Sequence, residues 1–342
     1  MLLHFVLVLL ASIALTGLIR SYALSRNVMD VPNQRSSHTI PTPRGGGLAI
    51  VLAFFLALGI AFFSISANVN LIAALSSTLW VAGIGFCDDH APVPARWRFL
   101  VHVLSALLAL YLLGGLPQLL LPEPVDWLFQ ARMVDLGWPG CLLGALLLVW
   151  FLNLFNFMDG TDGIAASEAV FVSGALAGYL YYLDPFSFYV AISVMAASMG
   201  FLLWNWPKAK IFMGDVGSGF LGLLLGILIL MAAQQAAVLL YCGLILFGIF
   251  LVDATYTLLN RFFSGQKWYD AHCSHTYQRA AKRYGHLKVL LSCWVVNLFW
   301  LLPISYWVFL QPNYALLGLV SAYLPLIFLA YRFKAGQAEK DV

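Results

Sequence analysis

The chain is poor in charge. Only 10% of its 342 residues are Asp, Glu, Lys or Arg, while 62% are hydrophobic; a soluble domain carries about 25% charged residues. That balance excludes a water-soluble fold, a disordered chain and a conventional nucleic-acid binder, because each needs polar surface that is missing here. The five cysteines, at 87, 141, 242, 273 and 293, include no Cys-x-x-Cys pair. No disulfide framework or cysteine metal site follows from them. No repeat with a period of about 20 to 50 residues is evident, nor are the inverted halves common among transporters. A formal net charge of +3 is too small to argue for a polyanionic partner.

What the chain does have is long apolar runs, with a mean hydropathy of +0.88. A spanning helix needs about 20 mainly apolar residues. Eleven segments are candidates: 2–24, 45–64, 69–86, 99–116, 139–157, 164–182, 186–204, 217–233, 236–258, 287–309 and 313–332. The expected fold is therefore an all-α polytopic integral membrane protein with about eleven transmembrane helices. The weakest segments are 69–86, which is short, and 164–182, which carries Glu168. The first run has no basic residues before it and no small-x-small cleavage site after it, so it reads as a retained span. Positive charge is held on the cytoplasmic side. With the N-terminus outside, every one of the 18 Lys and Arg residues except Arg132 falls inside, and the C-terminus is cytoplasmic. The outer loops are short apart from 117–138, which has room for a hairpin or an interfacial helix.

Nearly all the unusual residues lie in the cytoplasmic segments 25–47, 87–98, 153–163, 205–219 and 260–286. One domain, 1–342, with one site built from these loops is the expectation. In the first segment, Arg35, His38 and Arg44 precede Gly45-Gly46-Gly47 and a helix start. Such a run looks like a phosphate cradle, although a basic loop resting on anionic lipid has the same residues. In the second, Asp88 and Asp89 repel one another unless a cation or cationic partner holds them, and Arg96 and Arg98 follow; a solvated helix end is the simpler alternative. In the third, Asn153 and Asn156 share one helix face, and Asp159 and Asp162 follow in a glycine-punctuated turn. Oxygen donors of this kind suit Mg²⁺, which takes one or two protein carboxylates plus waters and substrate phosphates.

The fourth segment sets Asp215 at a helix start, where it could be a plain N-cap. Ahead of it, Asn205 and Phe212 could hydrogen-bond and stack a nucleobase, or serve as ordinary interfacial groups. The fifth carries Arg261, His272, His275 and Arg279, which could grip phosphates or shuttle protons. Taken together, these clusters imply Mg²⁺-dependent chemistry on a phosphorylated, nucleotide-type substrate with a lipid as acceptor or product.

Asp88-Asp89, Asn153-x-x-Asn156-x-x-Asp159-Gly-x-Asp162-Gly, Phe212-Met-Gly-Asp215-x-Gly-Ser218 and the His272/His275 loop resemble, in motif order, the polyprenyl-phosphate N-acetylhexosamine-1-phosphate transferases. Within that superfamily Arg35-Ser-Ser-His38, Pro43-Arg44-Gly-Gly-Gly and His272-Cys-Ser-His275-Thr-Tyr-Gln-Arg279 are most similar to the bacterial branch that starts O-antigen or related surface polysaccharides. The peptidoglycan branch carries consecutive histidines where this chain has two spaced ones. The resemblance implies an enzyme of the bacterial inner membrane that moves N-acetylhexosamine-1-phosphate from a UDP-N-acetylhexosamine to undecaprenyl phosphate and releases UMP.

By the same resemblance, Asp215 and Asn156 hold Mg²⁺, with Mn²⁺ as a substitute. Asp88 or Asp89 orients or deprotonates the lipid phosphate, and Arg96 or Arg98 steadies its charge. Asp159 holds the ribose or diphosphate region, while Asn205, Phe212 and Asp162 hold uracil. His272, His275, Arg261 and Arg279 close over the sugar and diphosphate. Arg35, His38, Arg44 and Asn153 complete the substrate-contacting set. Direct attack by the lipid is favoured over a covalent intermediate; the identity of the hexosamine and a homodimeric assembly stay open. The rivals are the muramyl-pentapeptide enzyme of peptidoglycan synthesis and a transporter of phosphorylated solutes. A transporter needs polar groups near the bilayer midplane, for which only Glu168, Asp253 and His102 are candidates.

Overall fold

The computed structural model describes residues 1–32, 40–64, 68–267 and 272–337. Its helices run in chain order as α1 (Leu2–Ser25), α2 (Gly47–Ser64), α3 (Val69–Ser76), α4 (Thr78–His90), α5 (Ala95–Leu112), α6 (Val125–Phe129), α7 (Gly137–Met158) and α8 (Ile164–Leu180). They continue as α9 (Pro185–Asn205), α10 (Asp215–Gln235), α11 (Val238–Leu246), α12 (Gly248–Phe263), α13 (Thr276–Tyr284), α14 (His286–Val296), α15 (Leu302–Leu310) and α16 (Ala315–Arg332). A π-helical stretch, Asn297–Leu301, joins α14 to α15.

Among the described residues eight helices are long and apolar enough to cross a membrane, with α3–α4 and α14–α15 each counted as one. A ninth crossing is formed by α11 and α12 if they act as a single span, although they meet at 72°. The weak segment 164–182 and the segment 45–64 form shorter apolar helices. The protein is thus an all-α, multi-pass membrane protein. Strand structure among the described residues amounts to two short antiparallel pairs, Met29–Asp30 with Thr42–Pro43 and Leu119–Leu120 with Met133–Val134. The second pair, together with α6, fills the 117–138 segment with both a hairpin and a short helix.

The centre of the bundle is α10, which is buried from Val216 to Ala233 and packs against α4 and α7. A helix apolar on all sides belongs in such a position. The two ends of α10 define two ends of the molecule. Asp215 starts it beside α4 and α5, and Gln234 closes it by donating to the Leu113 carbonyl at the far end of α5. Arg132 lies at that far end, hydrogen-bonded to Asn313 between α15 and α16. Arg20, by contrast, donates to the Lys210 carbonyl (3.2 Å) in the loop that leads to Asp215.

This separation makes a topology prediction. Single cysteines replacing Lys210 and Arg132, in a background without the exposed Cys87 and Cys141, are expected to differ in intact cells. The probe at 132 should react with an impermeant thiol reagent and the probe at 210 should be protected. Labelling of both from one side would contradict the eleven-span arrangement.

Candidate active site

Close helix contacts bring the carboxylates together. A Cβ on Gly85 of α4 would lie 2.5 Å from the Asp215 carbonyl, and one on Gly47 of α2 would lie 2.3 Å from the Gly217 Cα. Only glycine admits such approaches, and they seat α4 and α2 against the first turn of α10. That turn has backbone N–H groups with no intrahelical acceptor. Asp89 supplies one: Oδ1 accepts from the Asp215 N–H (3.1 Å) and Oδ2 from the Val216 N–H (3.2 Å). An anion at a helix N-terminus is also favoured by the helix dipole. Arg44 holds Asp89 from the other side. Its guanidinium donates to the Asp89 carbonyl at 3.0 and 2.6 Å and to the Asp88 carbonyl at 3.4 Å, so it caps the C-terminus of α4.

Asp88 points elsewhere. Its Oδ1 accepts from the Val93 N–H (2.6 Å), and its Oδ2 meets Arg98 Nη1 at 2.8 Å. The same Nη1 meets Asp215 Oδ2 at 2.9 Å. Asn156 closes the cluster by donating from Nδ2 to Asp215 Oδ1 (3.3 Å), which leaves its carboxamide oxygen as an acceptor. Exposure separates the three acids: the side chains of Asp215 and Asp88 are 29% and 16% exposed, that of Asp89 only 3%. Asp89 is a sealed brace, whereas Asp88 and Asp215 open to solvent. Asp159, just past the end of α7, is held well above the usual carboxylate range by burial, with the charges of Asp215 and Asp89 adding to it. One guanidinium thus serves Asp88 and Asp215 while Asp159 stands in the same negative field. Among the described residues no three Asp, Glu, His or Cys side chains form a metal-holding group, so a hard divalent cation here would need waters and substrate phosphates for most of its ligands.

The turn after α7 and the loop before α10 are tied to each other. Asn205 accepts the Gly163 N–H at Oδ1 (2.9 Å) and donates Nδ2 to the Ile211 carbonyl (2.9 Å). Asp162 accepts the Ala209 N–H (3.1 Å) and lies 3.3 Å from His286 Nδ1. Asn205, expected from the sequence to hold the base, has its carboxamide buried here with both ends bracing backbone. Phe212 is half-buried on the same loop, and its N–H donates to the Pro43 carbonyl (2.8 Å). Asn205→Ala would orphan two buried backbone groups, each worth about 1–3 kcal/mol. Thermal unfolding in detergent should show that loss. An unchanged unfolding midpoint would mean that the brace is dispensable.

The glycines expected to cradle a phosphate are tied to the same loop. The N–H groups of Gly46 and Gly47 donate to the Phe212 and Met213 carbonyls (2.9 and 2.8 Å), so they are committed to the loop before α10 and not open to an anion. Arg35 and His38 lie outside the described residues. Asn153 turns back to the Val149 carbonyl of its own helix (2.7 Å). Arg96 is exposed over the Trp97 ring, so Arg98 alone of that pair joins the cluster.

A second buried carboxylate, on α12, repeats the device of Asp89. Asp253 accepts from the Thr276 and Tyr277 N–H groups (both 2.9 Å), capping α13, and meets His275 Nδ1 at 3.4 Å. Tyr277 donates its hydroxyl to the Phe157 carbonyl (2.8 Å), fastening α13 to the end of α7. His272 stacks on His275 with ring centres 4.9 Å apart. Burial lowers its titration to about 3, with the charges of His275 and Arg261 adding to it, so it is a neutral imidazole near pH 7. Arg261 is buried and donates to Gln266 and the Lys267 carbonyl. Arg279 bonds the carbonyls of Phe333 and Gln337 beyond α16, so it anchors the C-terminal segment instead of reaching the acids. Asp253, Tyr277 and His286 were not selected as site residues from the sequence; a charged residue inside an apolar run was the one available signal, at Asp253.

Residues 71–233, which run from within α3 almost to the end of α10, match glycosyl transferase family 4. Through this stretch the chain is similar to that family. It is 28% identical over 283 residues to a probable undecaprenyl-phosphate N-acetylglucosaminyl 1-phosphate transferase of Bacillus subtilis, covering 80% of this chain and 75% of the relative. It is 30% identical over 246 residues to a phospho-N-acetylmuramoyl-pentapeptide-transferase of Methylacidiphilum infernorum, covering 64% of this chain and 65% of the relative. A transferase of the same name from Vesicomyosocius okutanii is 25% identical over 298 residues, covering 77% of this chain and 79% of that relative. The family and these relatives mark the protein as a membrane-embedded transferase, which sets the transporter reading aside.

Proposed function

We propose that the protein moves an N-acetylhexosamine-1-phosphate from a UDP-N-acetylhexosamine to undecaprenyl phosphate, releasing UMP, at the cytoplasmic face of a bacterial inner membrane. The product would start O-antigen or a related surface polysaccharide. The observation that carries this reading is the Arg98 bridge between Asp88 and Asp215, with Asn156 bonded to the second of these, at one end of an apolar bundle. In the reaction, an oxygen of the lipid phosphate attacks the phosphorus that bears the sugar. A new P–O bond forms, the P–O bond to the UMP phosphate breaks, and its electron pair leaves on UMP. One diphosphate replaces another, so the protein contributes positioning and charge neutralisation more than covalent chemistry.

Asp88 is the acid we assign to the acceptor phosphate, to orient it and take its proton if it arrives protonated; the sealed Asp89 keeps α10 in place. Arg98 neutralises charge on both acids before substrate arrives and offers its remaining N–H donors to the phosphates. Asp215 and the carboxamide oxygen of Asn156 would hold Mg²⁺, which supplies neutralisation of the diphosphate when bound, and Asp159 is assigned to the ribose or diphosphate region. Phe212 is the ring assigned to uracil. His272, being neutral, would hydrogen-bond the sugar or diphosphate instead of presenting a fixed charge. The relatives named phospho-N-acetylmuramoyl-pentapeptide-transferase support a second reading with the same chemistry and a larger sugar; the spaced histidines at 272 and 275 weigh against it.

The test is a substrate panel. Purified protein, undecaprenyl phosphate and Mg²⁺ are offered radiolabelled UDP derivatives of N-acetylglucosamine, N-acetylgalactosamine, N-acetylfucosamine and N-acetylquinovosamine, and of the muramyl pentapeptide. Lipid-linked product from a simple hexosamine is expected; product from the muramyl pentapeptide alone would replace this reading with the second.

A further inference from the structure

Outside the acid cluster, two buried polar side chains meet between α8 and the end of α14. Glu168, in the second turn of α8, is 2% exposed, and Asn297, the first residue of the π-helical stretch after α14, is 3% exposed. Asn297 Nδ2 donates to Glu168 Oε2 at 2.8 Å, which is the one side-chain hydrogen bond of Glu168 among the described residues. Two atoms of the pair are left over, Glu168 Oε1 and Asn297 Oδ1, both buried and both without a partner. An ionised carboxylate and a carboxamide oxygen only accept hydrogen bonds. A leftover acceptor on each partner therefore stays unsatisfied while Glu168 is charged, and buried polar groups are rarely left so. One proton on Oε1 converts it into a donor for Asn297 Oδ1 and pairs both atoms at once. It also removes an isolated charge from an apolar interior, where such a charge is costly.

We infer that Glu168 is carried as a neutral carboxylic acid, joined to Asn297 by two reciprocal hydrogen bonds, and that this pair is a positioning clamp for the active site. The clamp lies about three helical turns along α14 from His286, the residue that meets Asp162 at 3.3 Å. The two contacts together fix how far α14 slides along α8. Gly285, with φ of +84°, joins α14 directly to α13. Through α13, the setting of α14 reaches Tyr277, whose hydroxyl bonds the Phe157 carbonyl near the end of α7, and His275 beside Asp253. The pair thus acts on the acids and the histidine loop through other residues and touches no substrate.

Glu168→Gln is the deciding variant. The glutamine amide keeps the acceptor and supplies the N–H that the proton supplied, so transfer activity within about twofold of the parent is expected. Glu168→Ala and Asn297→Leu each strand a buried polar group, and activity should fall roughly ten- to a hundredfold. The second readout is spectroscopic. At neutral pH the infrared spectrum of the parent protein in lipid should contain a protonated carboxylic-acid carbonyl band that disappears in Glu168→Gln. A Gln variant as impaired as the Ala variant would overturn the inference, and so would spectra showing only a lost carboxylate band. The infrared arm needs no substrate, so it stands apart from any failure of the proposed reaction.

Discussion

Asp215→Asn is expected to lower sugar-phosphate transfer roughly 10²- to 10³-fold, the scale on which loss of a preorganised charge-stabilising group usually reads, while the protein still inserts and folds. The side chain has two tasks in the structure. Its Oδ2 takes Arg98 and its Oδ1 takes Asn156, so it sets the positions of the groups that would meet the diphosphate. Asparagine keeps the size and one acceptor, which is enough to hold the local packing. It removes the negative charge, which is the property needed to hold a divalent cation against the substrate. Activity measured across a Mg²⁺ titration, beside the thermal midpoint, separates the two tasks. Near-parental activity at limiting Mg²⁺ would take Asp215 out of the cation site.

The second large effect contrasts neighbours. Asp88→Asn should reduce transfer on the same scale, through kcat, with little change in thermal midpoint, because Asp88 is bonded to a loop N–H and to Arg98. Asp89→Asn should cost stability as well as activity. Both its oxygens accept from the first turn of α10, and an amide in their place turns one acceptor into a donor facing another donor. The expected loss is about 1–3 kcal/mol, the usual cost of leaving a buried donor unpaired. Unfolding midpoints in detergent, read with kcat for both variants, test this. A stable, inactive Asp89→Asn beside a destabilised, active Asp88→Asn would reverse the assignment.

Much of this was readable from the sequence, for a physical reason. Lipid solvation forces long apolar runs, so the helices of the bundle were visible as segments, including the short ones at 45–64 and 164–182. Asp88, Asn156 and Asp215 stood out because polar residues are expensive beside such runs, and the fold brings them onto Arg98. The division of labour inside the motifs was hidden. Whether Asp88 or Asp89 caps a helix start more than a hundred residues away depends on α4 meeting α10 at Gly85, which no local pattern displays. Asn205 shows the same limit: a carboxamide before an aromatic suggested base recognition, and only the packed loops reveal its bonds to Gly163 and Ile211. Arg44 and Arg279 looked like phosphate ligands but hold the carbonyls at the ends of α4 and α16, a use that a positive charge in a loop does not announce. Glu168 and Asn297 are too far apart in the chain to be read as a pair.

The central claim is that the phosphate bonded to the sugar travels with it. A UDP-sugar labelled in its β-phosphate, incubated with the purified protein, undecaprenyl phosphate and Mg²⁺, tests this directly. The label is expected in the lipid product, with unlabelled UMP released in equal amount. Label retained in UDP beside a glycosylated lipid would contradict the account, because the sugar alone would then have moved.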